Sequence, residues 1–238
     1  MANVVVRERL AAARGFVFDM DGTLVLADRT SNGMRPLPGA LEITRWAARR
    51  GRPYVVFTNG TNRTPAAYAQ IMRELGFPLP DEAMLTPATS AVRVLLRDGH
   101  QRVMLLGGPA LAGPLREAGG EVVAPVAGGR ALGTSRAISA MIRSLTGCGL
   151  RVVGKPSLDA LRTAADRLGF PAAQLAVVGD DPHLEVPMAH RGRALAIAVG
   201  TGLGLTASYD GLPVSRRPHL EVRGVDELLE MLGDVADD

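Results

Sequence analysis

The sequence predicts an α/β fold built on a doubly wound parallel sheet. Short apolar runs without polar alternation recur along the chain, which is typical of strands buried on both faces. Helical patterns separate these runs, and strands that alternate with helices form parallel sheets. Polar residues directly follow several runs, as expected where ligands collect beyond the carboxyl ends of parallel strands.

The predicted strands cover residues 15–18, 54–57, 152–153, 175–178 and 195–199, with a last short strand near Leu220. The predicted helices cover residues 40–50, 65–75, 157–168 and 225–232. Pro65 and Ser157 stand at helix starts, and Gly76 and Gly169 lie just beyond helix ends. These residue types are common at such positions, which supports the boundaries.

Composition limits the class of protein. The 238 residues, 47% hydrophobic and 21% charged, suit one sizeable core with a small second lobe. The formal charge of +3 comes from scattered basic residues, so we expect no nucleic-acid partner. Cys148 is the only cysteine, which excludes an intramolecular disulfide and a multi-cysteine zinc site. No run approaches the ~18 apolar residues of a membrane span, and we expect a cytoplasmic protein without a membrane partner.

The first predicted strand delivers two carboxylates, Asp19 and Asp21, within the segment F-V-F-D-M-D-G-T-L-V. Two like charges this close to an apolar core repel each other and lose hydration, so both stay ionised only beside a cation. Mg²⁺ takes oxygen ligands, keeps several waters and often shares its site with phosphate. The pair therefore predicts a Mg²⁺ site and makes a phosphate ester the first substrate to consider.

Three further polar clusters follow later predicted strands: Thr58-Asn59-Gly60, then Lys155, then Gly179-Asp180-Asp181. The carboxyl ends of parallel strands lie at one edge of the sheet, so these side chains are expected in one pocket. Together they offer a nucleophile, phosphate donors, a cation and a metal ligand.

With these four clusters in this order, the chain resembles the haloacid dehalogenase-like (HAD) hydrolase superfamily. The motifs of that superfamily are D-x-D-G-T, a strand-ending Thr or Ser, a Lys, and a G-D with further acids. The segments L-P-G-A, T-N-G-T-N-R and V-V-G-K-P-S resemble its nitrophenylphosphatase and phosphoglycolate-phosphatase branch, subfamily IIA. The resemblance covers residues 14–232 and implies a Rossmann-like core, residues 1–99 and 149–238, with a cap inserted at residues 100–148 between the second and third motifs.

The resemblance also implies roles for single residues. Asp19 would be the nucleophile that forms an aspartyl-phosphate, and Asp21 the general acid and base. Phosphoryl oxygens would be held by Thr58, Asn59, Gly60 and Lys155. Mg²⁺ would be held by Asp19, the backbone carbonyl of Asp21, and Asp180. The implied activity is hydrolysis of a small phosphorylated metabolite.

The chain departs from the branch in two places. His183 stands where an acid is common, so support for the metal falls to Asp181 or Glu185, with Asp181 favoured. The inserted segment is short for a full cap, with a predicted strand at 102–108, helices at 109–118 and 137–145, and a loop at 124–134. Because phosphoryl transfer gains from water exclusion, a partner protomer in a homodimer or the loop 26–38 is expected to cover the site.

Three alternatives compete with this interpretation. A dehalogenase needs neither a second acidic residue nor Mg²⁺, so Asp21 and Asp180 argue against it. A catalytically degenerate HAD-fold binding or regulatory module stays open because of the shortened cap and His183, although the intact motifs weigh against it. A zinc site at His183, Glu185 and His190 is rejected because the spacing does not match a helical metal pair.

Overall fold

The computed structural model describes residues 2–28, 33–105, 109–123 and 135–236. The strands are β1 Gly15–Asp19, β2 Val25–Asp28, β3 Gly33–Pro36, β4 Tyr54–Phe57, β5 Met84–Leu85, β6 Arg102–Met104, β7 Glu121–Val123, β8 Leu175–Gly179, β9 Leu195–Val199 and β10 Leu220–Val222. The helices are α1 Ala2–Ala12, α2 Ala40–Arg49, α3 Pro65–Glu74, α4 Pro87–Arg97, α5 Pro109–Glu117, α6 Ser135–Thr146, α7 Leu158–Leu168, α8 Glu185–Gly192 and α9 Val225–Ala236. None of these helices combines the length and hydropathy that a membrane span requires.

Six strands form one parallel sheet in the order β10-β9-β8-β1-β4-β5. The predicted doubly wound α/β fold is therefore confirmed. Strand β1 lies in the middle, and all five of its residues are buried. Helix α9 packs against α1 and α2, whereas α7 packs against α4 and α8.

An aromatic cluster anchors the central strand. Phe16 and Phe18 stack with ring centroids 5.6 Å apart, and Trp46 meets Phe16 edge-on at 6.2 Å. Tyr54 from β4 meets Phe18 in the same edge-on manner at 6.0 Å. Burying one large apolar side chain contributes about 1.5–3 kcal/mol, so this cluster holds the strand that ends on Asp19 firmly in place.

Capping residues explain two helix boundaries that the sequence predicted. The Thr64 hydroxyl accepts a hydrogen bond from the amide of Ala67 at 3.2 Å, immediately before Pro65 opens α3. The Ser157 hydroxyl does the same for Ala160 at 3.1 Å at the start of α7. Helix α7 ends at Gly169, whose φ of 73° is left-handed. Both caps satisfy amides that have no partner within their helix.

Two local predictions were wrong. Residues 152–153 form no strand, and Val152 lies at the surface with 54% exposure. Residues 26–38 are not simply a loop, since β2 and β3 pair there as antiparallel strands. The short β5 and the helices α1, α4 and α8 were not predicted at all.

The inserted segment has α/β structure of its own. Strands β6 and β7 pair in parallel, and α5, which lies between them in the chain, packs against β7 and α4. The predicted helices are confirmed as α5 and α6, while the predicted strand is shorter, at β6. The predicted loop at 124–134 lies outside the described residues, and the domain boundaries stay a prediction.

Candidate active site

Three of the four predicted clusters meet at one edge of the sheet because neighbouring strands end there in register. Asp19 is the last residue of β1 and lies opposite Phe57, the last residue of β4. Thr58 therefore follows directly beside it, and its amide donates to the Leu85 carbonyl of β5 at 3.1 Å. On the other side, β8 pairs with β1 and ends at Gly179, just before Asp180.

Lys155 joins this edge from an irregular segment and forms the centre of a buried charge cluster. Its Nζ contacts Asp19 Oδ1 and lies 2.6 Å from Glu185 Oε1. The side chains of Lys155, Asp19 and Glu185 are only 2%, 9% and 2% exposed. Charges this well buried are normally paired, and one ammonium is here shared between two carboxylates.

Burial and charge act in opposite directions on these groups. Burial lowers the pKa of Lys155, but the carboxylates of Asp19 and Glu185 outweigh it, so this pKa is raised and the ammonium stays charged. Burial raises the pKa of Asp19 despite the opposing effect of Lys155. Burial likewise raises the pKa of Glu185 to about 7. The cluster carries one cation for two carboxylates, which leaves it short of positive charge.

Asn59 holds the main chain of Lys155. Its Nδ2 donates to the Lys155 carbonyl at 3.0 Å, and its Oδ1 accepts from the Lys155 amide at 2.9 Å. These two bonds join positions 96 residues apart in the chain. They hold Lys155 at the edge of the sheet, where the sequence predicted that a strand would do so. The Thr58 hydroxyl accepts from the Gly60 amide at 3.0 Å, which makes the turn after β4 compact.

Asp180 is buried against a loop that the sequence did not assign to the site. Its Oδ2 accepts a hydrogen bond from the Leu203 amide at 2.7 Å. Burial, the largest influence, raises the pKa of Asp180 to about 6, and the charge of Asp19 adds to this effect. Gly22 packs on the same carboxylate with a φ of 89°, and a Cβ added there would lie 2.0 Å from Asp180 Oδ2. Only glycine fits at this position.

Glu185, rather than Asp181, is the further acid that reaches the site. The Asp181 carboxylate accepts from the amide of His183 at 2.7 Å, as in an Asx turn. Glu185 Oε2 accepts from the Asp181 amide at 3.2 Å, and its Oε1 faces Lys155. The geometry therefore favours Glu185 for the supporting role for which the sequence favoured Asp181.

Asp21 lies at the open side of the cluster. Its side chain is exposed, and its backbone pairs with Val25 in an isolated bridge. The Gly22 amide donates to the Val25 carbonyl at 2.7 Å, while the Gly22 carbonyl accepts from the Thr201 hydroxyl at 2.5 Å. The turn that carries Asp21 is thus tied at both ends, with its carboxylate facing solvent, where a substrate would arrive.

The residues fit a Mg²⁺ ion. Within the described part of the chain no three His, Cys, Asp or Glu side chains are grouped to hold a metal by themselves. Mg²⁺ does not need such a group, because it is usually held by one or two carboxylates together with water. Asp19 Oδ2 is buried and has no hydrogen-bond partner. An unpartnered carboxylate oxygen beside Asp180, in a cluster short of positive charge, is what a bound cation would complete.

Two further signals in the sequence pointed to this site. Lys155 is the only lysine among 27 basic residues. All the remaining basic residues are arginine, and the one compact ammonium lies where two buried carboxylates converge. The glycines around Leu203 indicated a close approach of the backbone, although not which carboxylate they approach.

Comparison with known proteins gives matches along most of the chain. The family model described as haloacid dehalogenase-like hydrolase matches residues 16–121, and a second, HAD-hydrolase-like model matches residues 152–228. Human chronophin is 30% identical over 90% of this chain and 70% of that protein, and mouse chronophin is 25% identical over 98% of both. The crystal structure of 4-nitrophenylphosphatase from Thermotoga maritima superposes with a TM-score of 0.76 at 23% identity, over 94% of this chain and 99% of that one.

Proposed function

Because the chain belongs to the haloacid dehalogenase-like hydrolases, we propose that it is a Mg²⁺-dependent phosphatase that hydrolyses a small phosphate monoester through an aspartyl-phosphate on Asp19. The observation that carries the proposal is the state of that carboxylate. Lys155 holds Oδ1, while Oδ2 is buried and has no protein partner. One oxygen is thereby fixed in place and the other is left for chemistry.

Two displacements at phosphorus make up the reaction. A carboxylate oxygen of Asp19 attacks the phosphorus, and the bond to the ester oxygen breaks as Asp21 gives that oxygen a proton. Water then attacks the phosphorus of the aspartyl-phosphate while Asp21 takes up its proton, which releases phosphate and restores Asp19. The exposed position of Asp21 suits this double role, because its side chain can reach both the leaving group and water.

Charge neutralisation is the main task of the surrounding residues. Lys155 offsets the charge of Asp19 and of the incoming phosphoryl group. Asp19, the Asp21 carbonyl and Asp180 would hold Mg²⁺, which supplies further positive charge beside the phosphoryl oxygens. The Thr58 hydroxyl and the backbone amide of Asn59 lie in the neighbouring turn and would donate hydrogen bonds to the phosphoryl oxygens. The Gly60 amide donates to Thr58 and would have to exchange that partner to take part.

Turnover of p-nitrophenyl phosphate tests the proposal. We expect activity with Mg²⁺, loss of activity in EDTA, and loss in Asp19→Asn. Asp181→Asn is the matched control, because this carboxylate caps a turn outside the charge cluster. Activity that persists without metal or in Asp19→Asn would refute the mechanism, and no turnover of any ester would favour a binding module.

The role of Asp21 has its own signature. A p-nitrophenolate leaving group departs without a proton, whereas an alkoxide needs one. Asp21→Asn should therefore slow hydrolysis of alkyl phosphates far more than formation of the aspartyl-phosphate from p-nitrophenyl phosphate. A hydroxylamine-labile phosphate label on the protein should accumulate in this variant. An equal loss for both classes of ester, without label, would contradict this role.

We propose only the class of substrate, a small phosphate monoester. A panel of small phosphorylated metabolites, assayed with Mg²⁺, would identify the preferred leaving group. Homodimerisation and cytoplasmic localisation stay predictions.

A further inference from the structure

A second concave surface lies along helix α7, outside the charge cluster. It is a hollow of about 670 Å³ whose walls come from α7 and residues 169–172 after it, from the end of α8 with Arg193, and from Arg93 of α4. We propose that this basic groove binds a small polyphosphate anion. The inference does not depend on the proposed phosphatase activity.

The basic groove carries an excess of positive charge. Four arginines line it, with a single carboxylate: Arg93, Arg162, Arg191, Arg193 and Asp166. The charged side chains that line the groove therefore sum to +3. Guanidinium groups around one hollow repel each other, and a concave surface strengthens their field.

Only one of these four arginines, Arg93, has a carboxylate partner within the described residues. Asp166 is taken by the Nε of Arg93, whose Nη1 is buried without a partner. Arg162 lies near Asp159, but Arg151 already holds both oxygens of that carboxylate, at 2.8 and 2.9 Å. Within the described residues Arg162 and Arg193 make no side-chain hydrogen bond or ion pair.

The shape and chemistry favour phosphate over other anions. The hollow has the size of a small-molecule site, which typically measures about 300–1,000 Å³. Guanidinium groups match phosphate oxygens with paired hydrogen bonds and keep their charge at any physiological pH. The arginines come from α4, α7 and the end of α8, so different arginines can contact different phosphates of one chain. A triphosphate group carries several negative charges and so matches the excess of positive charge in the groove.

Resolved amide signals can separate this basic groove from the active site. In EDTA, inorganic tripolyphosphate should shift the backbone amide signals of Gly169 and Gly192, which line the groove, in ¹H–¹⁵N spectra. Gly60 reports on the active site in the same spectra. Arg162→Gln combined with Arg193→Gln should weaken the binding by roughly tenfold or more, because two charged donors are lost.

A matched control carries the same change of charge elsewhere. Arg49 and Arg50 are exposed on α2, which packs against α9 rather than beside α7. Replacing both by glutamine should leave the affinity within a factor of two. Unfolding curves would show whether both double variants are folded. We expect that they are, because Arg162 and Arg193 are exposed.

Several outcomes would overturn the proposal. Shifts confined to Gly60, or equal affinity in the groove variant and the parent, would remove the site. Tighter binding of an acidic peptide than of tripolyphosphate would identify a protein surface instead. Equal affinity for tripolyphosphate and ATP would show that the phosphate chain alone is recognised. Tighter binding of ATP would identify a nucleoside polyphosphate as the ligand, and weaker binding of ATP an inorganic chain.

Discussion

Replacing Lys155 by methionine should strongly destabilise the protein at neutral pH. The ammonium contacts Asp19 and lies 2.6 Å from Glu185, and all three side chains are nearly inaccessible to solvent. Methionine keeps the apolar length of the side chain and removes the only lysine in the chain. Two buried carboxylates then face each other without the cation that compensates them.

The expected loss is large because it leaves an uncompensated buried charge. Breaking a buried ion pair by removing one partner costs about 3–5 kcal/mol. A domain of this kind is typically stable by only about 5–15 kcal/mol, so the variant should still fold but unfold at markedly lower denaturant. Protonation of Asp19 and Glu185 offers partial relief.

That relief makes the loss depend on pH. Without the ammonium, the pKa values of both carboxylates in the folded state lie further above those of the unfolded chain. The folded state then binds protons more readily, so its stability falls as the pH rises through those values. The deficit of Lys155→Met relative to the parent should therefore be larger at about pH 7.5 than at about pH 5.

Urea unfolding in EDTA at the two pH values measures this deficit. Arg73→Met is the control, because Arg73 and Asp81 form an ion pair with side chains 43% and 58% exposed. Such a surface pair contributes about 0–1 kcal/mol. A loss for Lys155→Met no larger than that of the control, or the same loss at both pH values, would refute the buried charge cluster.

Three further predictions concern other parts of the structure. Gly22→Ala should raise the Mg²⁺ concentration needed for half-maximal activity, because a Cβ there would displace the Asp180 carboxylate. Gly211→Ala is the control: Gly211 has a φ of 72° and open space around it, so this change should lower stability without altering the Mg²⁺ requirement. Asn59→Ala should lower kcat by on the order of a hundredfold with a smaller change in KM, since it releases the main chain of Lys155. An unchanged kcat would count against this role of Asn59. His219 is held neutral by burial, which lowers its pKa from 6.5 to about 4. The unfolded state therefore binds a proton that the folded state does not, so the parent should lose stability relative to His219→Gln as the pH falls from 6.5 towards 4. Urea midpoints of the two proteins that change in parallel over this range would contradict this prediction.

Local pattern was enough for the central strands and poor at the edges. The runs at β1, β4, β8 and β9 are apolar and continuous because both faces of these strands are covered, so they could be predicted within one residue. The pair at 152–153 has the same residue types without the same surroundings, and it forms no strand. Apolar residues predict burial, but a strand also needs backbone partners, and this segment leads into Lys155, whose main chain bonds to the Asn59 side chain.

The choice between Asp181 and Glu185 shows a second limit. Asp181 is adjacent to Asp180, which made it the natural choice from the sequence. In the structure the chain turns after β8, and Glu185 opens α8 one helical turn later, which brings its carboxylate back to Lys155. Adjacency in sequence does not decide where a side chain points, whereas the turn after β8 carries Glu185 back to Lys155.

The order of strands and helices, the motifs at strand ends and their spacing were enough to predict the fold class and the family, because these features are encoded in short stretches of chain. The tertiary structure alone decided which distant groups meet. It brought Glu185 and the Leu203 amide to the charge cluster, held Lys155 through Asn59, and gathered the arginines of the basic groove from α4, α7 and the end of α8. Contacts of that kind depend on how separate elements pack, and packing is a property of the whole chain rather than of any local pattern.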